Sequence, residues 1–477
     1  MLRDKNGWRL QYHLMPPDGW LNDPNGLCQF QGVYHIFFQY SPNTPGPDGR
    51  FARTWGHYAG RDLLHLKYTG VPFWPVDPID RDGCYSGSAL TDDEHIRLYY
   101  TGNVKESGNH DYTYSGRQAN EILVESDGEN FSEKTCLLTN SDYPKNCTCH
   151  VRDPKVWKKE NGFYMILGAR VKGPDLSADS DFGEVLFYQS EDGIHWNFLK
   201  SLTSEERFGY MWECPDYFTL SGKTFLSLCP QGLPKGEYRY QNIYQAGYFT
   251  VEGSLDGVQY LHDFREWDYG FDFYAPQSFV DEQGRRLFIG WVGMPDAPYT
   301  NPTAEPKGKG WENCLTVPRE LSLENGTIRQ NPIAELKNLR YDETPVMPHG
   351  SMVLPDGAGD FEISLLEGTE DLAWDIYFGD GAVLSYREDL LRLNFTDSVG
   401  FGRRERRVII PDIEYIRILV DSSLLEIFIN DGEYVITSRF YPKYTGDRQN
   451  LTVSFNCELA AITGWKMHTM ETNRDLI

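Results

Sequence analysis

The chain has 477 residues, 45 of them basic and 70 acidic, for a formal net charge of −25. That excess of negative charge repels phosphate backbones and anionic lipid surfaces, so neither nucleic acid nor membrane is expected as a partner. The length exceeds what one hydrophobic core usually supports, and a large domain with a smaller companion is expected.

In chain order, residues 1–8 carry no apolar core of the kind a signal peptide needs, and no segment reaches the length of a membrane span; a cytoplasmic, soluble protein is expected. Nine cysteines, an odd number, fit reduced thiols better than a disulfide framework. From there on, aromatics make up 14% of the chain, and short runs of Tyr, Phe, Val and Ile alternate with Gly, Asn and Asp, the pattern of an all-β protein. Asp23-Pro24 is followed by Gly32 and a strand-like run at 35–39. The same offset recurs from Asp153 to Gly162, from Glu213 to Gly222 and from Ala275 to Gly284, each followed by an apolar run. A copy without the glycine starts near Ser86. Five units of roughly sixty residues, without helices between the strands, predict a five-bladed β-propeller of about four strands per blade. Ser126-Asp127-Gly128 and Asp192-Gly193 read as turns between a third and a fourth strand. The propeller is assigned to residues 1–330, a linker with a short helix to 331–343, and a C-terminal β-sandwich to 344–477, with a hairpin turning at Asn430-Asp431-Gly432.

Repetition has a mechanical consequence. Equivalent positions at the start of each blade meet around one end of a central channel, so Asp23, Ser86, Asp153, Glu213 and the Tyr274-Ala275 pair are expected in one ring. Three carboxyls in one place suit glycoside hydrolysis, which needs a carboxylate facing the anomeric carbon and a carboxylic acid reaching the leaving oxygen. From their sequence neighbours, Asn22 and Asn25 are expected to keep Asp23 ionised and Arg152 to keep Asp153 charged. Glu213, between Trp212 and Cys214, is expected in an apolar setting that favours its protonated form. Cys147-Thr148-Cys149-His150 has the spacing of half a zinc site, but no second half is visible and no metal is expected.

At these motifs the chain resembles glycoside hydrolase family 32, the invertases and fructan hydrolases. Residues 13–26, ending in Trp20-Leu21-Asn22-Asp23-Pro24-Asn25-Gly26, are similar to the family's N-terminal signature, whose Asp is the nucleophile. Arg152-Asp153-Pro154 resembles the motif whose Asp binds fructose hydroxyls in the transition state, and Glu213-Cys214-Pro215 the motif that supplies the acid/base. The resemblance implies catalytic Asp23, Asp153 and Glu213, with Trp20, Asn22, Gln39, Trp55, Tyr85, Ser86, Arg152, Tyr274 and Trp291 contacting substrate. It further implies a retaining β-fructofuranosidase acting on sucrose, sucrose 6-phosphate or short fructooligosaccharides through a covalent fructosyl-enzyme, without metal or cofactor. A fructosyltransferase or fructan exohydrolase of the same family is the alternative, and a sugar-binding propeller without catalysis a third reading. A phosphorylated substrate would call for a cationic pocket, for which Arg50 and Arg53 are the expected residues. The oligomeric state is left open, a homo-oligomer included.

Overall fold

A computed structural model describes residues 6–175, 177–304, 310–365, 373–445, 449–457 and 460–472; the outermost ends of the assigned propeller and sandwich lie outside these. Five antiparallel sheets follow one another along the chain as the blades of a propeller, each with its first strand innermost. Blade 1 contains Gly19–Phe30, Val33–Ser41, Thr54–Gly60 and His65–Gly70. Blade 2 contains Cys84–Thr91, Ile96–Lys105, Arg117–Ser126 and Thr135–Leu138. Blade 3 contains Cys147–Lys159, Gly162–Val171, Phe182–Ser190 and Asn197–Leu202. Blade 4 contains Met211–Leu220, Lys223–Gln231, Gly247–Gly253 and Gln259–Glu266. Blade 5 contains Tyr274–Val280, Arg286–Val292, Arg319–Glu324 and Thr327–Pro332.

The turns expected between third and fourth strands carry their own locks. Asp127 accepts the backbone N–H groups of Glu129 and Asn130, and Asp192 those of Ile194 and His195, at 2.7–2.9 Å. Asp62 does the same for Leu64 and His65 in blade 1. A short side chain that binds the backbone two and three residues on is why Asp recurs at these corners.

Between blades the side chains interdigitate as apolar layers. Phe37 and Trp55 of blade 1 pack with Leu98, Tyr100 and Ile122 of blade 2, and Ile166 and Phe187 of blade 3 with Trp212, Leu226 and Phe249 of blade 4. The aromatic content of the sequence is spent here. Each aromatic ring buries about 150–250 Å², so these layers dominate the stability of a sheet stack that lacks long helices.

After the 3-10 helix Ala334–Leu339, two six-stranded antiparallel sheets form the sandwich. Two details depart from the expected boundaries. Arg340–Val346 is already a sandwich strand, so the linker is shorter than 331–343, and Glu471–Thr472 returns to pair in parallel with His65–Leu66 of blade 1. The ring closes where Trp311–Glu312 pairs in parallel with Gly19–Trp20. Sandwich and propeller are joined through buried ion pairs. Arg319 binds Glu426 at 2.6 Å, His13 binds Asp421 at 2.7 Å and Glu426 at 2.8 Å, and Asp272 receives both Arg403 and Arg439. Burial alone would push the His13 imidazole down, but its hydrogen bonds to the two carboxylates outweigh that and raise its pKa to about 9.

Candidate active site

Each inner strand breaks its ladder at the same place. In blade 1, Asn22 and Asp23 stand opposite the single residue Gln39; in blade 2, Tyr85 and Ser86 opposite Thr101; in blade 3, Asp153 and Pro154 opposite Leu167. Blades 4 and 5 repeat this with Cys214 and Pro215, then Ala275 and Pro276. Two residues against one is a β-bulge, which bends a strand and re-aims its side chains. Proline suits the second bulge position of blades 3 to 5, where no ladder N–H is required. The first bulge residue of those blades takes a left-handed conformation, with φ of 64° at Asp153, 49° at Cys214 and 46° at Ala275. For residues with a Cβ that costs on the order of 1–3 kcal/mol each, and such strain gathers at functional sites.

The bulge corrects the expected ring. Asp23, Asp153 and Glu213 are not equivalent positions; they occupy three successive tiers. Glu213 precedes its bulge and is level with Arg152 and Tyr274; Asp153 is the first bulge residue, level with Cys214; Asp23 is the second, level with Ser86. Each carboxyl is held by its counterpart in a neighbouring blade. Ser86 Oγ donates to Asp23 Oδ2 at 2.5 Å, the Cys214 N–H donates to Asp153 Oδ2 at 2.9 Å, and Glu213 receives Arg152 Nη2 on Oε1 at 2.6 Å and Tyr274 O–H on Oε2 at 2.7 Å. Gln231 Nε2 adds a further donor to Oε2 at 2.7 Å. The Cys214 thiol lies 3.7 Å from both Asp23 Oδ2 and Asp153 Oδ2.

The expected electrostatics change with these contacts. Arg152 turns to Glu213, not Asp153, so Glu213 sits among donors and not in an apolar pocket; the Trp212 indole is fully buried between blades and donates to Phe208 O. Asn22 does donate to Asp23, at 3.0 Å, but Asn25 does not: its Oδ1 accepts from the Gly87 N–H. Burial raises the pKa of Asp23, with Glu213 adding repulsion, against the opposing hydrogen bonds of Ser86 and Asn22. Burial, together with repulsion from Glu213 and Asp23, raises Asp153 to about 7 against the pull of Arg152. Neighbouring carboxyls that cannot all ionise retain a proton near neutral pH, and they titrate as a set. Burial of the Tyr274 phenol beside Glu213 pushes its pKa far up, so it stays a donor.

Above this floor opens a cavity of about 380 Å³ lined by Trp20, Asn22, Gln39, Tyr85, Ser86, Arg152, Tyr274 and Trp291 with the three carboxyls. That size suits a small ligand. Trp20 and Trp291 meet edge to face at 6.1 Å, and Trp291 Nε1 is buried without a hydrogen-bond partner among the described residues, a donor waiting for an acceptor. Trp55 does not line the cavity. It is fully buried between blades 1 and 2 and donates to Tyr85 O at 2.9 Å, so it supports a lining residue instead of stacking on a ligand.

Four contributors carried no readable signal. Gln231 reaches Glu213 from the second strand of blade 4. Gly168, opposite Arg152, lets blade 4 approach blade 3: a Cβ there would lie 2.1 Å from Trp212 O. Arg117 and Asp296 enter the cavity wall from blade 2 and from the loop after blade 5's second strand. The His150 side chain is bound to Arg152 Nη1 at 2.7 Å, and no metal-binding cluster is present among the described residues. No helix among them is long and apolar enough to cross a membrane.

Residues 13–332 match the model of the glycosyl hydrolases family 32 N-terminal domain, and residues 352–466 that of the glycosyl hydrolases family 32 C terminal. The chain is 36% identical over 453 residues to the sucrose-6-phosphate hydrolase of Bacillus subtilis (strain 168), covering 91% of this chain and 89% of the relative. It is 36% identical over 459 residues to the raffinose invertase of Escherichia coli, covering 92% and 91%. The solved structure of sucrose-6-phosphate hydrolase from Lactobacillus gasseri superposes with a TM-score of 0.85 at 28% identity, over 98% of this chain and 94% of that one.

Proposed function

This chain belongs to glycoside hydrolase family 32, and on that premise we propose that it hydrolyses the terminal β-D-fructofuranosyl bond of sucrose or of its 6-phosphate, with Asp23 as nucleophile and Glu213 as acid and base. One observation carries the residue assignment: three carboxyls, each fixed by a neighbouring blade, share the floor of a cavity walled by two tryptophans.

Asp23 Oδ attacks the anomeric carbon of fructose while the bond to the leaving oxygen breaks and Glu213 gives that oxygen its proton. Glu213 then takes a proton from water, whose oxygen attacks the same carbon and releases Asp23. Ser86 and Asn22 orient Asp23. Asp153, rigid in its left-handed bulge, is available to accept fructose hydroxyls, an interaction that strengthens as positive charge develops on the ring. Arg152, Tyr274 and Gln231 fix the direction in which Glu213 faces the leaving group.

The test is release of glucose and fructose from sucrose by the wild type and by Asp23→Ala. Loss of at least about 10⁴-fold in turnover with an unchanged melting temperature supports the assignment, on the scale reported for removed nucleophiles. Substantial turnover in the variant rejects it, and transfer oligosaccharides outweighing free fructose would reject the hydrolase reading.

A further inference from the structure

Glu121 is a buried acid that no step of the proposed reaction uses. It lies in the third strand of blade 2, directly across the ladder from Thr101, and is 0% exposed. Six other carboxyls among the described residues are buried as completely, and each meets a cation: Asp80 meets Lys134, Asp181 Arg170, Asp272 Arg403, Asp360 Arg340, Asp421 His13 and Glu426 Arg319. Glu121 meets none of the described cations. Its partners are hydroxyls: Thr101 Oγ1 lies 3.0 and 3.2 Å from its two oxygens, and the Tyr143 O–H donates to Oε1 at 3.1 Å. The ionisable groups around it, Asp153, Tyr143, Tyr188 and Cys136, are all acids. Burial, with Asp153 adding repulsion, holds the Glu121 pKa well above the usual carboxylate range, and two hydroxyls do not offset that.

The contact that gives this acid a use runs through Thr101. Its hydroxyl oxygen accepts the Asp153 N–H at 3.1 Å, a hydrogen bond from blade 3 into blade 2. Asp153 is the bulge residue at φ 64°, and the direction of its carboxyl depends on that left-handed backbone being kept. A threonine hydroxyl rotates freely unless it is bound on both sides; here the Asp153 N–H holds one side and Glu121 the other. A charge at Glu121 would work against the same site, because Asp153 already faces repulsion from Asp23 and Glu213. A carboxylic acid supplies the hydrogen bond without the charge.

We propose that Glu121 is a positioning residue for the reaction: as an uncharged acid it fixes the Thr101 hydroxyl, and through it the left-handed backbone of Asp153. The inference rests on the role given to Asp153 above.

The test measures kcat and KM for sucrose in Thr101→Val, Glu121→Leu, their double variant and Glu121→Gln, with melting temperatures to identify folded protein. Asp153 acts on the sugar as charge develops, so its displacement should lower kcat at least about tenfold, the scale of one lost hydrogen bond, and leave KM within about threefold. The double variant should be no slower than Thr101→Val, because the two residues act as one unit. Glu121→Gln, uncharged and of the same shape, should recover most of what Glu121→Leu loses. Infrared difference spectra at pH 8, wild type against Glu121→Gln, should show the carbonyl stretch of a protonated carboxylic acid. Full kcat in Thr101→Val, additive losses in the double variant, a Glu121→Gln as slow as Glu121→Leu, or no such infrared band would overturn the proposal. Absence of fructose release by the wild type would instead refute the hydrolase reading, and the infrared measurement, which needs no turnover, would still judge whether Glu121 is uncharged.

Discussion

Replacing Asp153 by Asn should stabilise the protein at alkaline pH and not in acid. The Asp153 carboxyl is 7% exposed, and burial with two like-charged neighbours raises its pKa from 3.8 to about 7. Because the carboxyls titrate as a set, that difference, at most about 4 kcal/mol, is shared with Asp23 and Glu213. The sign follows from proton counts. Between about pH 4 and pH 7 the unfolded chain releases the Asp153 proton and the folded chain keeps it, so stability falls as pH rises through that window. Above pH 7 the folded protein carries the full penalty of a buried, repelled charge; below pH 4 it carries none. An amide has no such charge, and its oxygen still accepts the Cys214 N–H. Asp153→Asn should therefore match the wild type near pH 4 and exceed it at pH 8 by up to about 4 kcal/mol, a rise of at most roughly 4–8 °C in melting temperature by size scaling. Scanning calorimetry of both proteins at pH 4.5 and pH 8 reads the effect, and turnover should meanwhile fall by orders of magnitude. An equal difference at the two pH values, or none at pH 8, would refute the electrostatic argument.

Three further changes probe the scaffold. Gly168→Ala places a methyl group 2.1 Å from Trp212 O, so blade 4 must move away from Arg152; kcat/KM for sucrose should drop at least about tenfold, and a crystal structure should show a lengthened Arg152–Glu213 contact. His13→Gln removes the cation between Asp421 and Glu426. Because the His13 pKa is raised to about 9 from 6.5, its contribution of about 3 kcal/mol is whole below pH 6.5 and fades as pH climbs through 9; the melting-temperature gap to wild type should be wide at pH 6 and narrow at pH 10. Trp55→Ala should lower stability by about 3–5 kcal/mol in thermal or urea unfolding, and sugar affinity only through the displaced Tyr85 backbone.

The blades were legible because each repeats a corner chemistry that local sequence encodes. An Asp that locks its own turn, a glycine past a hairpin and a run of aromatics are all contacts between near neighbours, so a sixty-residue period survives in the text of the chain. The closure of the ring was not legible. Trp311–Glu312 pairing with Gly19–Trp20, and Glu471–Thr472 with His65–Leu66, are two-residue pairings across hundreds of positions, too short to leave a pattern. The His13–Asp421–Glu426–Arg319 cluster is hidden for the same reason: burial brings its charges together, and no spacing announces them.

At the cavity floor the sequence named the residues but misjudged their register. Counting from hairpin glycines placed Asp23, Asp153 and Glu213 on one level, whereas the bulge sets them on three, and this stagger is what makes them chemically distinct. Residues on one level of a five-bladed ring meet their counterparts next door: Arg152, Glu213 and Tyr274 form one such chain, Asp153 and Cys214 a second, Asp23 and Ser86 a third. Had all three carboxyls shared a level, two of them, on adjacent blades 3 and 4, would face each other without an intervening donor. The one-residue offset instead gives Glu213 an arginine, Asp153 a backbone N–H and Asp23 a hydroxyl. Three acids of similar intrinsic strength thus receive three different partners, and the proposed division of labour among nucleophile, hydroxyl acceptor and acid follows from that offset in the bulge.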